Sequence, residues 1–96
     1  MIEALVMYDV RTDDPEGQRR LRAVAKTCEG IGIRVQYSVF EVRCSAAQLV
    51  QLRARLAAII RPRDSIRIYR MDHGALDRVE FIGQHGKLPP PDAVIL

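Results

Sequence analysis

Across residues 33–44 the apolar side chains fall on every second position, and part-way along they change parity. Ile33, Val35, Tyr37 and Val39 hold one phase, and Phe40, Val42 and Cys44 hold the other. Period two excludes a helix, because strand side chains alternate across a sheet whereas helical neighbours are turned by about 100°. A parity change inside one run requires the strand to bend, bulge or divide near Ser38-Val39-Phe40. No Gly-containing turn marks a hairpin at that point, so a long bent strand and a split one both satisfy the pattern.

The flanking segments have other periods. Residues 2–8 are apolar apart from Glu3, too few for a helix and closed by the polar stretch 9–14, as expected of a buried strand. Asp14-Pro15-Glu16 then reads as a helix start: Asp accepts an orphan amide at the N-cap, Pro tolerates the first helical position, and Glu suits the positive end of the dipole. Leu21, Val24, Ala25 and Cys28 follow at i, i+3, i+4 and i+7, with Gly30 or Gly32 as the stop. Ser45-Ala46-Ala47-Gln48 matches a capping box, Leu49, Leu52, Leu56 and Ile59 give a second helical stripe, and Pro62 ends it. Residues 65–71 alternate Ile66 and Ile68 with Arg67 and Tyr69, as a half-buried strand does. Two short apolar pieces remain, residues 79–82 and 93–96, separated by a Gly-rich loop and three prolines.

The order is strand, helix, long or split strand, helix, strand, tail. With the middle strand counted as two, this is βαββαβ, an α+β ferredoxin-like sandwich with both helices on one face of an antiparallel sheet. The core is expected over residues 1–72. Residues 73–96 form a C-terminal extension whose short strands, including an extra C-terminal edge strand, pack on this sheet or on a partner's. The sheet face without helices also needs a cover, and a two-fold homodimer meets both requirements.

At 96 residues the chain accommodates one core and no separate catalytic domain, so a site must be shallow or shared between subunits. The formal charge of +3 favours a polyanionic partner only weakly. Cys28 and Cys44 form no CxxC pair and read as reduced, partly buried thiols, with a disulfide as the alternative. The N-terminus shows no basic leader, and no apolar run approaches the roughly 20 residues that cross a bilayer. The expected location is the cytoplasm, away from membranes.

The strand ending in Tyr8-Asp9, the arginine-bearing first helix, the segment Arg34-Val35-Gln36-Tyr37-Ser38-Val39-Phe40-Glu41 and the later Phe81-Ile82-Gly83-Gln84-His85-Gly86 resemble the CRISPR-associated Cas-two proteins over essentially the whole chain. The segment from Arg34 to Glu41 is the specific part. The resemblance implies a ferredoxin-like dimer with facing sheets that works beside the Cas-one integrase in spacer acquisition. It also implies metal-dependent endonuclease activity on RNA or double-stranded DNA.

It places the catalytic and metal-binding role on Asp9. Mg2+, or Mn2+, takes oxygen ligands and commonly only one or two carboxylates, so two copies of Asp9 across a dimer axis suit it where one does not. An aspartate after a strand is otherwise a turn former or helix cap. Arg34 and Ser38 are candidate phosphate ligands. Tyr8 is either a phosphate ligand or a core residue, and Phe40 either stacks on substrate or packs internally. Arg19 and Arg20 are candidate substrate contacts, although with Arg22 they spread around the helix and cannot all touch one phosphate row. Asp13 and Asp14 are explained by capping, and His73 and His85 read as loop residues. The alternative function is a non-catalytic DNA-binding scaffold that bridges integrase subunits.

Overall fold

The computed structural model describes residues 1–83. Four strands and two helices alternate as β1 (Ile2–Asp9), α1 (Pro15–Glu29), β2 (Gly32–Gln36), β3 (Val39–Cys44), α2 (Ala46–Ile59) and β4 (Ser65–Met71), followed by a 3-10 turn at Ala75–Arg78. The sheet order is β2-β3-β1-β4, and every neighbouring pair is antiparallel. This is the expected ferredoxin-like plan.

Helix starts fall where the capping residues place them. Asp14 accepts the Gly17 amide with Pro15 in the first turn, and Gly30 closes α1. At α2, Ser45 Oγ accepts the Gln48 amide at 3.1 Å while Gln48 Oε1 accepts the Ser45 amide at 2.9 Å. The reciprocal bonds satisfy two of the donors that a first turn leaves orphaned. Both helices press their apolar stripes, Val24 and Cys28 from α1 and Leu49, Leu52 and Leu56 from α2, onto Val6, Tyr8, Phe40, Val42 and Cys44 of the sheet.

The parity change at residues 33–44 has two sources. The strand divides, with Tyr37 and Ser38 forming the turn, and β2 carries a bulge. Arg34 lies opposite Phe40 and Gln36 opposite Val39, so Val35 is the extra residue. The turn uses no residue at positive φ outside glycine. A bulge increases local twist, which is what a Gly-containing hairpin turn otherwise contributes. The turn is also held from outside: the Tyr8 amide donates to Ser38 O at 3.1 Å and the Tyr8 hydroxyl to Tyr37 O at 3.2 Å.

Each phase of the alternation therefore serves a different sheet face. Phe40, Val42 and Cys44 face the helices, together with Arg34 through its pairing with Phe40. Ile33 and Val39 face the other way, sharing the open side with Met7, which pairs with Val39, and with Leu5, which pairs with Tyr69. No helix covers that side among the described residues, and Ile33 stays 61% and Tyr69 45% exposed.

One end of the open face is closed by the segment after β4. The Glu3 carboxylate, nearly buried, accepts the Gly74 and Leu76 amides at 2.6 and 2.7 Å, and Arg43 pairs with Asp77 at 2.7 Å. Gly74 has φ of 87°, a conformation that favours glycine. Residues 79–82, expected as a short strand, are not strand; the preceding four residues form the 3-10 turn instead, and Ile82 is fully exposed. A segment of that length gains strand structure only by pairing, and it pairs with neither β2 nor β4, the two edges of the sheet. His85 and the expected edge strand in residues 93–96 lie outside the described residues. Both cysteines are free and buried.

Candidate functional site

Asp9 is the last residue of β1, on the open face of the sheet at the end opposite Glu3. It is exposed, and its carboxylate is engaged by no hydrogen bond or ion pair among the described residues. The neighbouring acids are occupied: Asp14 caps α1 and Asp13 lies 3.4 Å from Arg63.

Beside Asp9 a cleft of about 370 Å³ opens between the end of β1, the flank of α1 that carries Leu21, Arg22 and Ala25, and the β2–β3 turn. Its walls include Tyr8, Asp9, Arg34 and Ser38, which were singled out from the sequence, and also Thr12, Arg22 and Tyr37, which were not. Arg22 sits beside Leu21 and Ala25 of the apolar stripe, so its place on the helix was the available signal. Choosing it over Arg19 or Arg20 required the fold.

Arg34 approaches the cleft across the Phe40 ring, with the guanidinium carbon 5.2 Å from the ring centroid, in cation-π range. One Nη donates to Glu29 at 3.0 Å, whereas Nε is buried and has no hydrogen-bond partner. A guanidinium held by stacking and by one acidic neighbour keeps further donors for a ligand. Phe40 is itself fully buried and stacks with Tyr8 at a centroid distance of 6.2 Å, so its role in this arrangement is to support Arg34 from beneath. Tyr8 is also buried. Burial raises its hydroxyl above the usual tyrosine value against the opposing influence of Arg34, and the hydroxyl is spent on the Tyr37 carbonyl.

The helix arginines separate into two groups. Arg20 turns inward, its Nε 2.9 Å from the buried Asp64 carboxylate. Arg19 and Arg22 remain exposed with no partner among the described residues, and only Arg22 reaches the cleft. Asp64 carries no sequence signal, since an aspartate between Pro62 and a strand reads as a loop former. Arg20 and the Arg11 and Arg61 amides hold its carboxyl at about 2, well below the usual range. Burial pushes the Cys28 thiol up to about 11, which keeps it protonated and removes it as a nucleophile.

The donors of a single chain do not complete a cation site: no cluster of three His, Cys, Asp or Glu residues occurs among the described residues. An exposed carboxylate with no partner among the described residues, beside a cleft that Thr12 and Ser38 also line, does suit a hard divalent cation as part of a larger oxygen set.

A family model described as "CRISPR associated protein Cas2" matches residues 1–79. This chain belongs to the Cas2 family. A relative from Rhodospirillum rubrum, named "CRISPR-associated endoribonuclease Cas2 3", is 52% identical over 80 residues, covering 82% of this chain and 84% of its own. Streptococcus pyogenes Cas2, in its crystal structure at pH 6.5, superposes with a TM-score of 0.74 at 46% identity, covering 84% of this chain and 99% of the other. A chain of a "Partial Cas6-RT-Cas1--Cas2 complex" matches with a TM-score of 0.69 at 26% identity over the full length of both. The Cas2 fold is thus shared over the part of the chain that carries Asp9, the cleft and the open sheet face. No described helix is long and apolar enough to cross a membrane.

Proposed function

We propose that this Cas2 chain acts as a two-fold homodimer that hydrolyses phosphodiester bonds in RNA or double-stranded DNA with Mg2+ or Mn2+ held by paired Asp9 carboxylates. The observation that carries the reading is the exposed Asp9, without a partner among the described residues, at a cleft that Arg34 and Ser38 also line. The endoribonuclease name of the Rhodospirillum rubrum relative supports the same chemistry.

The open face supports the dimer. Leu5, Met7, Ile33, Val39 and Tyr69 form an apolar surface that a second copy would bury, and a two-fold axis near the end of β1 would bring two Asp9 residues together. Two carboxylates complete what one chain lacks. A bound divalent cation would supply Lewis-acid neutralisation of the phosphoryl charge. The protein's own groups do the positioning. Arg34, oriented by Phe40 and Glu29, and Arg22 on α1 hold phosphate oxygens, the Ser38 hydroxyl adds a hydrogen bond, and Tyr8 keeps the β2–β3 turn, and with it Ser38, against β1.

A second reading, a DNA-binding scaffold that bridges Cas1 integrase subunits without cleaving, is favoured by the outward side of α1 and by the neighbour in a Cas1–Cas2 complex. Arg19, Arg22 and Lys26 fall at i, i+3 and i+7, form one exposed basic stripe, and have no acidic partner among the described residues. Asp9→Asn separates the two. The nuclease reading expects metal-dependent cleavage of labelled RNA or duplex DNA to fall at least ~100-fold with duplex binding retained, a loss typical of removing a group that acts in the transition state. Cleavage at the wild-type rate by the variant would leave the scaffold reading alone.

A further inference from the structure

Asp64 is the most thoroughly bonded side chain near the candidate site, and the mechanism above does not use it. Its side chain is fully buried. Oδ1 accepts the Arg11 amide at 3.0 Å, and Oδ2 accepts Arg20 Nε and the Arg61 amide, each at 2.9 Å. Three elements therefore meet on one carboxylate: the segment leaving β1, the body of α1 and the chain leaving α2.

Arg11 is held on its other side as well. Its carbonyl accepts Arg20 Nη2 at 3.4 Å and lies against Gly17, where an added Cβ would come within 2.0 Å of that oxygen. Val10, between Asp9 and Arg11, is buried in the core. Ser65, which directly follows Asp64, is the strand partner of Asp9. Both the strand neighbour of Asp9 and the segment that carries the chain away from it are thus tied to the same group.

A buried ion pair is an inefficient source of net stability, because desolvation offsets much of its attraction. What a carboxylate with three directed donors supplies is one fixed geometry. The requirement for fixed geometry lies two residues before Arg11, at Asp9, an acid that no described residue holds.

We infer that Asp64, acting through Arg20 and the Arg11 backbone, is a positioning residue for Asp9: it sets where the Asp9 carboxylate stands at the mouth of the cleft. The functional consequence rests on the nuclease reading. The structural cause does not.

The test uses the full-length protein with Asp64→Asn, which keeps shape and removes charge, and with Arg20→Lys and Arg20→Ala. Magnesium-dependent cleavage by Asp64→Asn should show kcat lowered roughly 10- to 100-fold, as for supporting shells of metal ligands, with KM for the nucleic acid within about twofold. Arg20→Lys should retain more activity than Arg20→Ala. Amide hydrogen exchange, which needs no activity, should accelerate at residues 10–12 in Asp64→Asn while residues 4–6 of β1 keep their protection. A folded Asp64→Asn protein that cleaves at the wild-type rate overturns the inference. So does exchange that rises uniformly along β1, which would mark a general loss of stability. If the wild type shows no cleavage dependent on Asp9, the nuclease reading fails separately and the exchange measurement decides alone: local acceleration supports the positioning role, and unchanged exchange at residues 10–12 refutes it.

Discussion

Two aspartates, one ending β1 and one just before β4, have been given opposite conditions. Asp9 is exposed and has no partner among the described residues, whereas Asp64, one residue before the strand partner of Asp9, is buried beneath three donors. The carboxyl of Asp64 is lowered from an ordinary 3.8 to about 2, chiefly by Arg20. A depressed folded-state value contributes stability that is complete above the unfolded value and disappears as pH falls through the folded one. The stability difference between wild type and Asp64→Asn should therefore be constant at pH 5 and above and shrink between about pH 4 and pH 2, as read by urea unfolding across that range. Asp9 was legible through its place after an apolar strand and the Tyr-Asp pair of the family. Asp64 was not, because its meaning depends on donors 53 and 44 positions away, at Arg11 and Arg20.

At the level of elements, both helices and the strands β1 and β4 were readable because their signals are local. The Asp14 cap, the Ser45 capping box and the i, i+3, i+4 stripes each lie within a few residues of what they specify. The stripe of α2 is the main apolar contribution of that helix to the core. Leu56→Ala, at a fully enclosed position, should destabilise the fold by about 2–5 kcal/mol, and Ser45→Ala by about 0.5–2 kcal/mol, both measurable by chemical denaturation. The β2–β3 turn is the exception. Tyr37-Ser38 contains no glycine and carries little turn preference, and the bonds that hold it come from Tyr8 on β1. The sequence showed that the alternation must break but not that it breaks into a bulge and a turn, since the deciding partner is 29 residues away. The apolar residues 79–82 failed as a strand for a related reason: alternation and β-propensity need an edge to pair with, and the chain there follows a 3-10 turn tied down by Glu3.

For the molecule as a whole, the unequal faces of the sheet are the main consequence. One face is filled by the helices, and on the other no described helix covers Leu5, Met7, Ile33, Val39 and Tyr69, the surface assigned to the proposed dimer. Met7→Glu, in the middle of β1 and away from the helical core, should give a folded chain that sediments as a monomer. In the nuclease reading it loses metal-dependent cleavage, because the second Asp9 is gone. Retained dimerisation of that variant would place the subunit contact elsewhere. The basic residues follow the same division between interior and surface. Arg20 is drawn into the structure by Asp64, Arg34 is stacked on Phe40, and Arg19, Arg22 and Lys26 are left outward on α1.

The two helices, β1 and β4, the break in the alternation between them and the prominence of Asp9 were contained in the amino-acid order, because periodicity, caps and short motifs act between residues close along the chain. The sorting of the arginines, the buried role of Phe40, the membership of Arg22 and Thr12 in the cleft and the placement of Asp64 were settled only when the strands paired. Each depends on contacts between residues tens of positions apart, where burial and hydrogen-bond direction, and not residue type, determine what a side chain does.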